Sequence, residues 1–157
     1  MASKELKVGD KAPNFKMPTD GNGAVSLAEL KGKNVILYFY PKDDTSGCTK
    51  EACGFRDTLP DFKKVKAAVI GVSRDSVASH DKFKKKYELP FALGSDADGK
   101  TSEAYGTWVE KSMYGRKYMG MERATFLIDC NGVVQGIWRK VKVPGHVEEV
   151  LKAVKAL

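Results

Sequence analysis

The side chains best suited to redox or nucleophilic chemistry in this sequence are its three cysteines, Cys48, Cys53 and Cys130. A cysteine reacts as its thiolate, which is favoured where unpaired backbone N–H groups meet the positive end of a helix dipole. The residues before Cys48 predict such a place, because an apolar run ends at Pro41 and a polar loop leads from it into a helix. Cys48 is therefore the first candidate for a reactive group.

Two predicted elements position Cys48. Residues 35–40 are β-branched or aromatic and lie between turn residues and a proline, which is typical of a buried strand. Beyond the loop, apolar residues recur at spacings of four and three, which is one face of a helix. These residues are Cys48, Ala52, Phe55, Leu59 and Phe62. Pro60 predicts a kink or a restart near the end of this helix.

The rest of the chain alternates between strand and helix patterns. We expect strands at 67–73, 90–93, 124–128 and 133–138, helices at 76–87 and 101–105, and a loop at 109–121. A small hairpin is expected from 15–17 and 24–27, followed by a helical turn at 27–31. The last helix begins near His146, and its predicted inward face consists of Val147, Val150, Leu151, Val154 and Leu157.

This order of elements predicts the fold class. A βαβ unit followed by a hairpin and a helix is typical of an α/β protein with a thioredoxin-like fold, in which helices flank a central mixed β-sheet. With 157 residues and no linker or repeat, we expect one domain over 1–157.

Composition excludes several function classes. Hydrophobic content of 42% and the absence of a long apolar run predict a soluble, cytoplasmic protein without a membrane partner. The net charge is +7, but the basic residues are scattered. Their densest groups, at 82–86 and 139–142, match no nucleic-acid motif, so we expect no nucleic-acid partner.

The number and spacing of the cysteines and histidines also limit which kinds of site the chain can form. The cysteines are too few for a disulfide scaffold, and no Cys-x-x-Cys pair occurs. A closed zinc site would need all three cysteines and a distant histidine, so we expect no metal. A thiol redox cycle would carry both redox equivalents on sulfur, so we expect no cofactor either. We interpret Cys130 as an exposed or semi-exposed thiol without a catalytic role, and His80 and His146 as structural or solvent-facing. A Cys-His hydrolase is accordingly disfavoured.

The pattern Pro41-x-x-x-Thr45-x-x-Cys48 resembles the peroxiredoxins, and Cys53 makes the chain similar to their bacterioferritin comigratory protein or peroxiredoxin Q branch. The likeness covers nearly the whole chain. Its further segments are 9–15, 38–43, 47–57, 71–76, 79–80, 114–115 and 123–129. The sequence departs from the branch at Ser46, where proline is usual, and Cys130 is outside the pattern.

The resemblance implies a peroxidase that reduces hydrogen peroxide and organic hydroperoxides with thiols. It implies that Cys48 is the peroxidatic cysteine, that Pro41, Thr45 and Arg123 complete its pocket, and that Cys53 is the resolving cysteine. It further implies a disulfide form that thioredoxin or a similar dithiol donor reduces. Two alternatives remain open, a thiol–disulfide oxidoreductase or redox sensor, and a basic non-enzymatic binding module. The sequence leaves open whether the chain is a monomer or a weak dimer.

The chemistry explains why these residue types would be needed. Most of the acceleration must come from donors aimed at the peroxide oxygens in the transition state. Arg123, the Thr45 hydroxyl and the backbone amides of Gly47 and Cys48 could supply them, while Pro41 excludes water. Taken singly, these residues also have ordinary interpretations: a buried cysteine, a helix N-cap and a surface or ion-pair arginine.

Cys53 carries a geometric condition. Five residues along a regular helix separate two Cα atoms by about 8–9 Å and turn about 140° around the axis. A disulfide needs them within about 7 Å. A bridge between Cys48 and Cys53 would thus require the segment 47–56 to unwind at least partly, which Gly54 favours. The alternative is that an external thiol resolves Cys48.

Overall fold

Strand β3, Asn34–Phe39, is an interior strand of a mixed seven-stranded sheet in the computed structural model, which describes residues 5–157. The strands are β1 Lys16–Thr19, β2 Gly23–Ser26, β3, β4 Ala67–Ser73, β5 Ala92–Ser95, β6 Trp108–Met113, β7 Arg116–Met121, β8 Ala124–Ile128 and β9 Val134–Trp138. The α-helices are α1 Ser46–Lys64, α2 Val77–Tyr87, α3 Lys100–Ala104 and α4 His146–Lys155. The α/β, thioredoxin-like class is confirmed.

The sheet has the strand order β2-β1-β5-β4-β3-β8-β9. β3 pairs with β4 in parallel and with β8 antiparallel, and β4 pairs with β5 in parallel. The predicted strand at 35–40 is confirmed to within a residue at each end, and all six of its side chains are buried. Alternate β3 residues pack on opposite faces, one under α1, α2 and α4, the other under the N-terminal segment and Tyr105.

Helix α1 follows the predicted apolar stripe, since Cys48, Ala52, Phe55, Leu59 and Phe62 are all buried. The helix runs through Pro60 to Lys64, so the predicted restart there is wrong. Proline removes one backbone donor, but the buried side chains on either side of it keep the helix against the sheet.

The predicted loop at 109–121 is wrong, because β6 and β7 form an antiparallel hairpin. Its turn is Tyr114 and Gly115, which both have positive φ, 51° and 77°. Most side chains of the hairpin are at least partly exposed on both faces, so no alternation of apolar and polar residues marks the strands. Backbone pairing across a two-residue turn forms this element.

Other elements differ from expectation by a few residues. β5 starts at Ala92 instead of 90, and the helix expected at 101–105 is α3, while the predicted hairpins of β1 with β2 and of β8 with β9 are confirmed. Ser76 caps α2, accepting a hydrogen bond from the Ser79 N–H. Leu157 lies beyond α4 and is 54% exposed, so its place on the inward face is wrong.

Within residues 5–157, no helix is long and apolar enough to cross a membrane.

Candidate active site

Cys48 is the third residue of α1, and its side chain is buried. The Nη2 group of Arg123 donates a hydrogen bond to its sulfur at 3.3 Å. The register of the sheet explains this contact, because Ala124 of β8 pairs with Phe39 of β3. Arg123, which precedes Ala124, therefore lies beside the end of β3, where the chain turns towards α1. The sequence motif and the distant arginine thus come together at one end of the sheet.

Glu51 holds the other side of the guanidinium. The Nη1 group of Arg123 donates to Glu51 Oε1 at 2.8 Å, and the Glu51 side chain is completely buried. Burial raises the pKa of Glu51 to about 7, although the charge and hydrogen bond of Arg123 act in the opposite direction. Its second oxygen, Oε2, has no hydrogen-bond partner among the described residues. A two-point contact of this kind fixes the orientation of the guanidinium.

Sequence reasoning missed Glu51. One signal was available, because Glu51 is three residues after Cys48 and therefore on the same helix face as the apolar stripe. A buried carboxylate on that face needs a cation, and Arg123 is the cation that the sheet supplies.

The first turn of α1 adds backbone donors. The first i to i−4 hydrogen bond runs from the Thr49 N–H to the Thr45 carbonyl, at 2.8 Å. The N–H groups of Gly47 and Cys48 therefore have no acceptor four residues back within α1, and the positive end of the helix dipole is beside the sulfur.

Thr45 and Pro41 lie on the exposed approach to the helix. Thr45 has extended backbone angles at the N-cap position, but its side chain does not cap α1. Its hydroxyl donates to the Lys42 carbonyl at 2.9 Å, and the hydroxyl oxygen keeps its acceptor capacity. The N-cap interpretation is thus confirmed for the position of Thr45 but not for a capping hydrogen bond from its side chain. Neither Pro41 nor Thr45 makes a side-chain hydrogen bond to Cys48 among the described residues.

The remaining cysteines and histidines occupy different environments. All three cysteines are free; Cys53 is half-buried and Cys130 is exposed. Both histidines are buried, so the solvent-facing interpretation is wrong. The Nε2 atom of His146 is 2.8 Å from the Thr125 hydroxyl, and His80 contacts Asp43 in the loop before α1.

Over residues 5–157, no three histidine, cysteine, aspartate or glutamate side chains form a group that could hold a metal ion. The reactive atom at the centre of the site is the sulfur of Cys48. A cysteine sulfur reacts as its thiolate, which can attack an electrophile, while the guanidinium and the helix-end amides can stabilise a leaving oxygen that gains negative charge.

Comparison with known proteins agrees with this chemistry. The AhpC/TSA family matches residues 8–137. A protein of Coxiella burnetii named as a peroxiredoxin of the bacterioferritin comigratory protein (Bcp) type is 58% identical over 146 residues, covering 93% of this chain and 97% of the relative. Peroxiredoxin Bcp of Bacillus subtilis is 49% identical over 150 residues, covering 96% of each chain.

Solved structures agree as well. A PrxQ cysteine-to-serine mutant from Xylella fastidiosa superimposes with a TM-score of 0.93 at 40% identity, covering 98% of each chain. The Xanthomonas campestris bacterioferritin comigratory protein, studied for its alkyl peroxide reduction, gives 0.87 at 44% identity over 90% of each chain. The chain therefore belongs to the AhpC/TSA family, in the Bcp and peroxiredoxin Q branch, and is a thiol-dependent peroxidase.

Proposed function

We propose that Cys48 is the peroxidatic residue of this peroxidase. Its thiolate attacks one oxygen of the hydroperoxide, the O–O bond breaks, and the sulfur becomes a sulfenic acid. The other oxygen leaves with the electron pair, takes up a proton and is released as water or an alcohol. The observation that carries the proposal is the 3.3 Å contact between Arg123 Nη2 and Cys48 Sγ at the start of α1.

The groups around Cys48 bind the peroxide, stabilise the developing charge and orient one another. Arg123 and the amides of Gly47 and Cys48 bind the peroxide oxygens and stabilise the charge that develops on them. The acceptor oxygen of Thr45 orients the peroxide O–H, and Pro41 shields the sulfur from water. Glu51 acts through Arg123, whose orientation it fixes.

We propose that Cys53 resolves the sulfenic acid. The Cys53 thiolate attacks the Cys48 sulfur, the S–S bond forms as the S–O bond breaks, and the leaving hydroxide takes up a proton to become water. Cys53 is half-buried, outside the buried stripe on which Cys48 lies, so the two sulfurs cannot meet while α1 is intact. The segment 47–56 therefore unwinds in each cycle. The hydrogen bond from Arg56 Nη1 to the Tyr87 carbonyl, at 2.7 Å, ties the far end of this segment to α2.

The substrate range and reductant are inferred from chemistry and relatedness. Alkyl peroxide reduction by the Xanthomonas relative supports organic hydroperoxides as substrates beside hydrogen peroxide. A disulfide on an unwound, accessible segment suits a dithiol donor such as thioredoxin. Three free cysteines suit a reducing compartment such as the cytoplasm. We also propose that the protein is a monomer or a weak dimer. Analytical ultracentrifugation of the reduced and the oxidised protein would test this.

Peroxide turnover coupled to thioredoxin, with wild type, Cys48→Ser and Cys53→Ser in parallel, tests the proposal. We expect Cys48→Ser to lose all turnover. Cys53→Ser should lose turnover with thioredoxin and regain part of it with dithiothreitol, which can reduce the sulfenic acid directly. Cys130→Ser serves as the control and should behave as wild type.

Peptide mapping after one equivalent of peroxide gives an independent measurement. A bridge between Cys48 and Cys53 within one chain is expected. Turnover in Cys48→Ser would overturn the assignment of the peroxidatic cysteine. A disulfide to Cys130, or the absence of any disulfide, would overturn the assignment of Cys53 as the resolving cysteine.

A further inference from the structure

The loop that delivers the chain from β3 to α1 is held mainly by two aspartates. Asp44 accepts hydrogen bonds from Lys86 Nζ at 2.8 Å and from the Tyr87 hydroxyl at 2.7 Å. These contacts are partly exposed, so solvent weakens them. Asp43 is buried, and its contacts have no such screening.

Asp43 collects donors from two elements. Tyr40, the residue after β3, donates to Oδ1 at 2.6 Å. Ser79 and His80, both in α2, contact Oδ2 at 2.8 Å and 2.7 Å. The Asp43 backbone N–H donates to Asp75 Oδ2 at 2.8 Å. Both carboxyl oxygens of Asp43 are thus occupied by contacts from neighbouring side chains.

The ring of His80 has an acceptor at each nitrogen. Nε2 is 2.9 Å from the Gly94 carbonyl oxygen, which can only accept, so Nε2 carries a proton. Nδ1 is 2.7 Å from the Asp43 carboxylate, which also accepts. A neutral ring has one N–H and would leave one of these contacts repulsive. The geometry therefore assigns a fully buried imidazolium paired with a buried carboxylate.

The charges around the ring agree with this assignment. Burial alone would lower the pKa of His80, but the hydrogen bond and charge of Asp43, the Gly94 carbonyl and the charge of Asp75 raise it above the ordinary value. Those groups come from the loop before α1, from β5 and from the turn after β4. The Tyr40 ring, with its centroid 6.4 Å from that of His80, adds no charge.

We propose that His80 is a positioning residue of the peroxidase. As an imidazolium it holds Asp43, and with it the loop 41–45, in the conformation that places Thr45 and the first turn of α1 beside Arg123. The inference rests on the role proposed above for Cys48. Losing the proton would leave the Asp43 charge uncompensated in the interior, so the loop would loosen. Reaction with peroxide should accordingly depend on the protonation of a residue that never touches the peroxide.

Nuclear magnetic resonance of ring-labelled histidine in the reduced wild-type protein measures the protonation directly. We expect protons on both ring nitrogens of His80 at neutral pH, with a transition above the ordinary value of about 6.5. His146 is the internal comparison, since burial lowers its pKa and its ring should be neutral there. A singly protonated His80 at neutral pH would overturn the proposal without any variant being made.

Rates of Cys48 oxidation by hydrogen peroxide, measured over a range of pH, test the function. The wild-type rate should fall as rising pH removes the proton from His80. His80→Asn should lack this fall, so any pH dependence that both proteins share comes from other groups. In His80→Asn and Asp43→Asn the rate at neutral pH should be about ten- to hundredfold lower, because the site is misplaced. Adding both substitutions together should cost less than the product of the two losses, because they break one interaction.

Ser76→Ala is the matched control, since it removes the N-cap of α2 but leaves the contact between His80 and Asp43 intact. It should destabilise the protein while keeping the wild-type pH profile. A His80→Asn rate equal to wild type would overturn the positioning role. If Cys48→Ser still consumed peroxide, the proposed function would fail, while the ring titration would still decide the charge of His80.

Discussion

A Cβ atom added to Gly47 would lie 3.0 Å from Nη2 of Arg123, the same group that donates to the Cys48 sulfur. That separation is tighter than ordinary van der Waals contact, so the guanidinium or the helix start would have to move. The absence of a side chain at Gly47 therefore lets the arginine pass close over the first turn of α1.

We expect Gly47→Ala to slow the reaction with peroxide about tenfold or more, because the guanidinium is displaced from the sulfur. Alanine favours helix, so thermal stability should not fall in parallel. Stopped-flow oxidation and thermal unfolding of the same samples measure the two effects. Ser46→Ala, at the exposed neighbouring position, is the control and should leave both unchanged. A wild-type rate in Gly47→Ala would show that this close approach is unimportant.

Arg123→Lys tests the two-point contact with Glu51 and Cys48. A lysine has one compact ammonium group, which cannot occupy the positions of Nη1 and Nη2 together. We expect the rate of Cys48 oxidation to fall by about 10²–10³, the loss typical of removing a donor that stabilises a developing anion. Arg116→Lys, on the exposed strand β7, should retain the wild-type rate. Retention of most of the activity by Arg123→Lys would contradict the role of the fork geometry.

The stripe of α1 and the strand before it were predictable because their signals are local. Apolar residues at helical spacing indicate one face, and Cys48 belongs to that face whatever the rest of the chain does. Arg123 is different, since 75 residues separate it from Cys48. No local pattern connects the two residues; the family resemblance pointed to the pairing, and the register of β3 with β8 accounts for it.

Glu51 and the β6–β7 hairpin show what local patterns omit. A glutamate on an apolar face is stable only with a partner, and that partner lies 72 residues away. The hairpin has few buried side chains, so its sequence shows no hydrophobic periodicity from which strands could be predicted. His80 was missed for a similar reason, because its Asp43 partner is brought in by the packing of α2 against the end of β3.

The raised pKa of Glu51 predicts how stability depends on pH. Because burial raises it to about 7, the folded state binds a proton more tightly than the unfolded state, in which the pKa is near its ordinary value. Between about pH 4.5 and 7 the folded state therefore carries more protons, and the free energy of unfolding falls as pH rises. The slope has a limit of about 1.4 kcal/mol per pH unit for one group.

Glu51→Gln removes this titration while keeping the size of the side chain. The free energy of unfolding of wild type minus that of Glu51→Gln, from urea titrations at several pH values, should decline across that window and level off above it. Other groups, His80 included, contribute equally to both proteins and cancel to first order. A difference that is constant with pH would contradict the burial of a titrating carboxyl group at this position.

The last prediction concerns the extent of unwinding when the disulfide forms. Hydrogen exchange of backbone amides should be fast from 47 to 56 in the oxidised protein and slow there in the reduced protein, because a helical spacing of five residues cannot be bridged. Protection should persist at Leu59 and Phe62, which remain buried under the sheet, and at the end of α2 that binds Arg56. Cys53→Ser treated with peroxide is the matched control, since its Cys48 is oxidised without a bridge and α1 should stay protected. Equal exchange in the oxidised wild type and this variant would mean that oxidation of Cys48, rather than the bridge, unwinds the helix.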